Sequence, residues 1–338
     1  MQVTDIVKPL AVFAVVIVVI VGGTGVLAAT VGGGSSSAAD GQNIDGQSPD
    51  HFQPDAVNVD ADPETGEIEV DAEQGEKKVL IETQHSPTVS RDDLEPIIEA
   101  LTEAGHDVDI GASASSGSSD GFGSTGGYNA TLQEYDAVLL INPTESFTEA
   151  ERAGLQEYTE GDGRLVVLGE PTQLASAGGL FSGPSTLSFG AGDLTGQYGV
   201  RMGAEGIYNL DDDANDNHFK AVYAEPTGSS SLTRGVDTVT FEHAGYLVMS
   251  EGSESQAVMT AVDGTKTLET RRTGTYATVV RNNNMVFVAD TDFMDKNEVY
   301  DADNEVFISN LLDFMVSGDK ADDVPSTETG DEGGSGGF

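Results

Sequence analysis

The sequence predicts a mixed α/β fold with a mostly parallel sheet and antiparallel additions. Between residues 77 and 171, short apolar runs alternate with helix patterns, the order that produces strand–helix–strand units. The runs are apolar at nearly every position, as expected for strands covered on both faces. From residue 236 onward strand patterns follow one another without helices between them, which reads as antiparallel pairing.

In chain order, "KKVLIET" (77–83) reads as a buried strand. Ser90 is placed to cap a helix over "RDDLEPIIEALTEAG", closed by Gly105. "HDVDI" follows as a short strand, and residues 111–127 read as a Gly/Ser loop. "YDAVLLINP" (135–143) is a strong strand. Thr148 and Glu151 have the spacing of a capping box for a helix reaching about Thr159. "GDGRLVVLGEP" gives turn, strand and turn. Residues 172–235 are Gly-rich and less regular. "VDTVTFEHA", "QAVMTAV", "KTLETRR" and "YATVVRNNNMVFVAD" read as antiparallel strands, with a hairpin turn at Asn282–Asn284. A last helix from about Asp303 to Val316 carries Val306, Phe307, Leu311, Leu312, Phe314 and Met315 as its core stripe, capped by Asp303.

Outside this region the composition changes. Residues 1–8 form a stub, and 9–31, "PLAVFAVVIVVIVGGTGVLAATV", are uncharged and long enough to span a bilayer. A cleaved signal peptide is the rival reading, although the apolar run is long for one and its basic start is only Lys8. Lys8 favours a cytoplasmic N-terminus and an extracytoplasmic domain. Residues 32–75 read as a flexible acidic Gly/Ser linker and 317–338 as a disordered acidic tail. The α/β domain is thus bounded at 76–316.

Charge excludes several functions. With 58 acidic and 15 basic residues the formal net charge of the 338-residue chain is -43. Such a surface repels nucleic acid and anionic lipid headgroups. It suits concentrated salt, where the Debye length shrinks to about 3 Å near 1 M, and has the composition of an extreme halophile's protein, an archaeon's above all. Thermal melts from molar to about 0.1 M salt are therefore expected to show a falling midpoint. A midpoint independent of salt would mean that structure already compensates the acids. Cysteine is absent, so there is no disulfide, thiolate metal site or cysteine nucleophile.

Motifs for chemistry are sparse. Gly117–Gly121 matches a serine-hydrolase elbow, and Gly121, Gly123 and Gly126 match a dinucleotide fingerprint, but both lie in low-complexity loop without the required strand and helix. "DDDANDNH" (211–218) starts like a calcium loop and lacks its glycine and closing glutamate. No two of the five histidines share a helix face at zinc-site spacing. No cofactor and no metal site are expected. Asn129-Ala130-Thr131 is a glycosylation sequon.

The segments "VLIETQHSPTVSRDDLEPIIEALTEAGHDVD", "YDAVLLINPTESFTEAERAGLQEYTEGDGRLVVLGEP" and "MVFVADTDFM…DNEVFISNLLDFM" resemble a family of membrane-anchored proteins carrying domain of unknown function 4350. That domain is of the class I glutamine-amidotransferase-like, flavodoxin type, and the resemblance extends to the gliding-motility auxiliary component of ABC transport systems. It implies a partner of the MoxR-type ATPase or transporter-associated kind. The turn matching the amidotransferase nucleophile is Gly169-Glu170-Pro171, which has neither cysteine nor serine. The expectation is a non-catalytic binding or accessory domain, with a carboxylate- or metal-dependent hydrolase as the alternative. In open α/β sheets ligands gather at the carboxyl ends of strands. The expected rim site is Gln84, His85, Asn142, Thr144, Glu170, Asp290 and Asp292, while Asp295, Glu298, Asp301 and Glu305 are expected to be solvated.

Overall fold

The computed structural model describes residues 64–71, 75–86, 89–111, 125–175 and 185–326. The strands are β1 (Lys78–Glu82), β2 (Asp107–Gly111), β3 (Ala137–Ile141), β4 (Arg164–Leu168), β5 (Gln173–Ala175), β6 (Ser185–Leu187), β7 (Val200–Met202) and β8 (Ile207–Tyr208). They continue with β9 (Ala221–Pro226), β10 (Val239–Glu242), β11 (Leu247–Met249), β12 (Gln256–Ala261), β13 (Lys266–Thr267), β14 (Ala277–Asn282) and β15 (Met285–Val288). The helices are α1 (Glu95–Glu103), α2 (Thr125–Gln133), α3 (Glu149–Glu160), α4 (Gly192–Gln197) and α5 (Asn304–Val316).

The main sheet runs β10-β9-β12-β14-β15-β4-β3-β1-β2, with β11 and β7 attached through β14. The half from β2 to β15 is parallel. Beyond β15 every pairing is antiparallel. The chain moves from β1 to β2 on one side and returns to β3 on the other. That places a topological switch between β1 and β3.

Alternate strand residues feed two cores. Val79, Ile81, Leu139, Val166 and Val288 pack with Ile97 and Leu101 of α1 and with Phe307, Ile308 and Leu311 of α5. Leu80, Val138, Leu140, Val167 and Phe287 pack with Tyr128 and Leu132 of α2, Leu155 and Tyr158 of α3 and Leu194 of α4. Two-sided burial is the reason these strands are apolar throughout.

Several local expectations change. Helix α1 begins at Glu95 with Leu94 before it and no side-chain cap, so Ser90 does not cap it. Pro96 explains the late start, because proline is tolerated only in a helix's first turn. Helix α2 occupies the end of what read as a loop; Tyr128 and Leu132, one turn apart, are both buried. The capping box of Thr148 and Glu151 forms. The hairpin turn is the pair Asn283–Asn284, since Asn282 pairs with Met285. Asn283 takes the positive φ of 46° that such a turn demands. Of "KTLETRR", only Lys266–Thr267 is strand. Asp303 precedes α5 but does not cap it. Its Oδ2 accepts the backbone N–H of Asp237 at 2.7 Å and Thr238 at 3.0 Å, tying the helix to the approach to β10.

Parts of the presumed linker and tail are packed. The N–H of Glu69 donates to Ser309 Oγ at 3.0 Å, with Ile68 and Val70 against the core. Residues 317–326 lie against α2 and α3, where Ser326 N–H reaches Glu157 Oε2 at 2.8 Å and Lys320 Nζ reaches Gln133 O at 3.0 Å. Among the described residues no helix is long and apolar enough to cross a membrane. Residues 9–31 and the glycine motif at 117–121 lie outside the described residues.

Candidate functional site

The carboxyl ends of β1, β3, β4 and β15 share one rim because these strands are parallel. The antiparallel steps from β15 through β14, β12 and β9 bring β10 back to the same direction, so Glu242 and His243 end on that rim too. The seven expected site residues therefore lie along one edge. They fall into two adjoining groups.

The first group sits at the end of β1. His85 is 3% exposed. Its Nδ1 lies 3.1 Å from Glu82 Oε1 and its Nε2 lies 3.6 Å from Glu151 Oε2. The ring stacks on Phe147, centroids 3.8 Å apart, and meets Tyr128 edge-on at 5.6 Å. Gln84 Nε2 donates to Glu151 Oε1 at 3.4 Å. The backbone carbonyl of His85 accepts the N–H of Thr144 at 2.9 Å, fastening β1's end to β3's. Thus one imidazole holds two buried carboxylates from β1 and α3. Burial, then Glu82 and Glu151, hold the Tyr128 phenol well above its usual pKa.

The second group spans β3, β4 and β15. Asn142 has a positive φ of 41° and its Oδ1 accepts Glu170 N–H at 3.3 Å. Glu170, 4% exposed, accepts the N–H and Oγ1 of Thr291 through Oε1, both at 2.7 Å, and Gln173 Nε2 through Oε2 at 3.2 Å. Burial first, and Asp292 second, push Glu170 up to about 8 despite these donors. Asp290 is fully buried; its Oδ1 accepts Phe293 N–H at 3.0 Å and its Oδ2 has no partner. Burial, followed by Glu170 and Asp292, raises Asp290 well above the carboxylate range. Asp292 is raised mainly by burial, and His243 Nδ1 at 3.6 Å opposes this. His243 itself holds a positive φ of 58°.

The outer acids are not simply solvated. Glu298 shares a carboxyl–carboxyl hydrogen bond with Asp301, which with burial raises Glu298 to about 8. Asp295 Oδ1 accepts the Asn297 N–H at 3.0 Å and Nδ2 at 2.8 Å. Glu305 is raised by burial. All four acids are half-buried, and Glu305, in the first turn of α5, lies beside Gly66. Asn129 is half-buried on α2; its Nδ2 donates to Ser326 O at 3.1 Å and its side chain fills the space beside Gly154. The sequon's amide is thus engaged in this fold.

Among the described residues, no three His, Asp or Glu side chains are placed to hold one metal ion. A groove of about 590 Å³ passes Glu170, Phe189, Asp193, Arg201 and Met202. A larger one, about 650 Å³, lies by Tyr198 and Asn282–Asn284, at the other end of β15. Sequence reasoning missed Glu151 as His85's second carboxylate, and also Tyr128, Phe147, Thr291 and His243. Only Glu151 left a signal, its capping box.

No protein-family model matches the chain, and no curated protein does. Among solved structures, the mmIFT52 N-terminal domain is similar to it with a TM-score of 0.53 at 12% identity. The match covers 72% of this chain and 99% of that one. At this identity the likeness shows the fold alone, a mixed α/β architecture.

Proposed function

We propose that this chain is a non-catalytic, membrane-tethered binding or accessory domain of a cell-envelope or transporter-associated complex, built on a flavodoxin-type, amidotransferase-like scaffold. One observation carries the reading. The turn after β4, where an amidotransferase places its nucleophile, presents Glu170, and both carboxylate oxygens are engaged with Thr291 and Gln173. The hydroxyl that meets this turn, Thr291 Oγ1, donates to Glu170 itself, and the chain has no thiol. The parallel rim remains as a surface of strand ends and short turns, suited to recognition. By the resemblance of its sequence, the partner is a MoxR-type ATPase or a transporter-associated protein, and residues 9–31 are the tether.

A hydrolase reading is favoured by the neighbouring carboxylates of Glu170 and Asp290, whose raised pKa values are of the kind found at acid–base sites. Asp290, with no exposed surface, has no path to a substrate. A hydrolase panel on the intact protein in molar salt separates the two: the binding reading expects no turnover. Activity abolished by Glu170→Gln would replace it. For the tether, protease added to intact cells is expected to release the domain. A domain cut only after lysis would reverse the orientation.

A further inference from the structure

In a chain with 58 acidic residues, the half-buried Arg281 pairs with no carboxylate among the described residues. Its Nε–H donates to the Asn283 carbonyl at 2.9 Å, and its Nη1 donates to Ser231 Oγ at 3.4 Å. Among the described residues no acceptor takes Nη2, so the far end of the guanidinium fork is unused. The guanidinium carbon lies 5.0 Å from the centroid of the buried Phe314 ring. Arg164 lies over the same ring at 5.4 Å, but Asp162 neutralises it at 2.7 Å. Burial first, and Arg164 second, lower the pKa of Arg281. A half-buried cation with a like charge nearby and no counter-ion favours an anion beside it.

Arg281 lines a groove of about 610 Å³ together with Ser229, Ser230 and Ser231. The groove lies between the segment after β9 and the ends of β12 and β14, at the end of the sheet opposite the rim. Ser231 Oγ accepts from Arg281, and Ser230 Oγ accepts the Leu232 N–H at 3.2 Å, so both keep a hydroxyl hydrogen to donate. We infer that this groove binds a tetrahedral oxyanion of the phosphate or sulfate class, held by the Arg281 guanidinium and the Ser231 hydroxyl, with Ser229 and Ser230 offering donors along the same wall. A guanidinium fork matches one edge of such an anion with two parallel N–H···O bonds. A carboxylate would spend both oxygens on the fork, whereas a tetrahedral anion has further oxygens for the serines. Arg281 itself repels a cationic ligand. Inorganic phosphate occupies only part of the groove, so a phosphate monoester on a larger polar body also fits. Glu254 is the acidic residue of the lining; Asn283 Nδ2 donates to its Oε2 at 3.1 Å, and its charge opposes the anion. Because the groove is remote from the rim, the inference stands apart from partner binding there.

The test is calorimetric titration of the intact protein with inorganic phosphate, inorganic sulfate and glycerol 3-phosphate. Molar sodium chloride is the medium, because a Debye length of about 3 Å removes the long-range repulsion of the net charge. Saturable binding of at least one probe is expected, and the tighter of free phosphate and its monoester identifies the source. Arg281→Gln is expected to abolish the binding. Ser231→Ala should weaken it roughly fivefold, the loss of one hydrogen bond. Glu254→Gln should tighten it roughly twofold or more by removing the opposing charge. Ser231 and Glu254 are exposed, so these two variants carry the test should Arg281→Gln fail to fold. No binding of any probe, binding unchanged in Arg281→Gln, or an affinity that neither Ser231→Ala nor Glu254→Gln alters would each overturn the assignment.

Discussion

His85→Ala is expected to destabilise the domain by about 3–5 kcal/mol, the loss seen when a large buried ring is cut back to alanine. The imidazole lies between Glu82 and Glu151, at 3.1 and 3.6 Å. Without it, Glu82 and Glu151 stay in a site walled by Phe147 and Tyr128 and lose the ring that lies between them. The stacked ring contact goes as well, and a cavity replaces it. For a domain of this size the melting midpoint should fall by roughly 6–20 °C. Glu151→Gln on the His85→Ala background should recover part of the loss, because it removes one of the stranded charges. A midpoint within a degree of wild type for His85→Ala would show that the carboxylates are solvated and the clip is not structural.

Raising the pH from 5 to 9 is expected to lower stability progressively, with Glu170 as a principal cause. Its folded pKa of about 8 lies above the ordinary carboxyl value of 4.5. A group raised in this way contributes in full below its unfolded pKa. That contribution is lost as pH climbs through the folded value. Burial is the first cause and Asp292 the second, so ionisation places a charge in a dry site beside other acids. Asp290 is raised for the same reasons and adds to the slope. Each pKa unit corresponds to about 1.4 kcal/mol, and the change across this window should reach a few kcal/mol. Glu170→Gln keeps an acceptor for Thr291 and cannot ionise. Its melting midpoint should match or trail wild type at pH 5 and exceed it at pH 9. Parallel wild-type and variant curves would mean Glu170 does not titrate in this window.

Much of the architecture was written locally. The runs "KVLIE", "AVLLI", "RLVVL" and "MVFV" are apolar at almost every position because each strand is covered by helices on both faces. The Thr148–Glu151 box and the Asn283–Asn284 turn are also local devices, legible from residue type and spacing. Helix α2 was not, since Gly126 and Gly127 weaken its intrinsic propensity and its formation rests on Tyr128 and Leu132 reaching the second core. The late start of α1 was legible in Pro96, but the Ser90 signal competed with it.

The site was legible in its membership by strand ends and not in its pairings. Placing Asp290 and Glu170 on one rim required only that β15 run parallel to β4, as it does. The partner of His85 could not be read, because Glu151 lies 66 residues away and was already accounted for as a cap. Composition misled at Glu298 and Asp301. In so acidic a chain a carboxylate reads as surface, yet Glu298 is half-buried and the neighbouring Asp301 side chain, with burial, raises it to about 8. Asp303 was assigned to its nearest helix, whereas its carboxylate serves Asp237 and Thr238 across the fold.

The central claim is that the rim recognises a partner. The most direct measurement is co-purification of the intact protein in molar salt, comparing two charge reversals by quantitative mass spectrometry. Glu145→Lys alters an exposed residue on the rim, beside Thr144, whereas Glu103→Lys alters an exposed residue at the far end of α1. The rim reversal should reduce the retained partner by tenfold or more, about 1.4 kcal/mol of binding, while the helix reversal leaves it at the wild-type level. Equal retention by both variants, with both folded, would contradict the assignment of the rim as the binding surface.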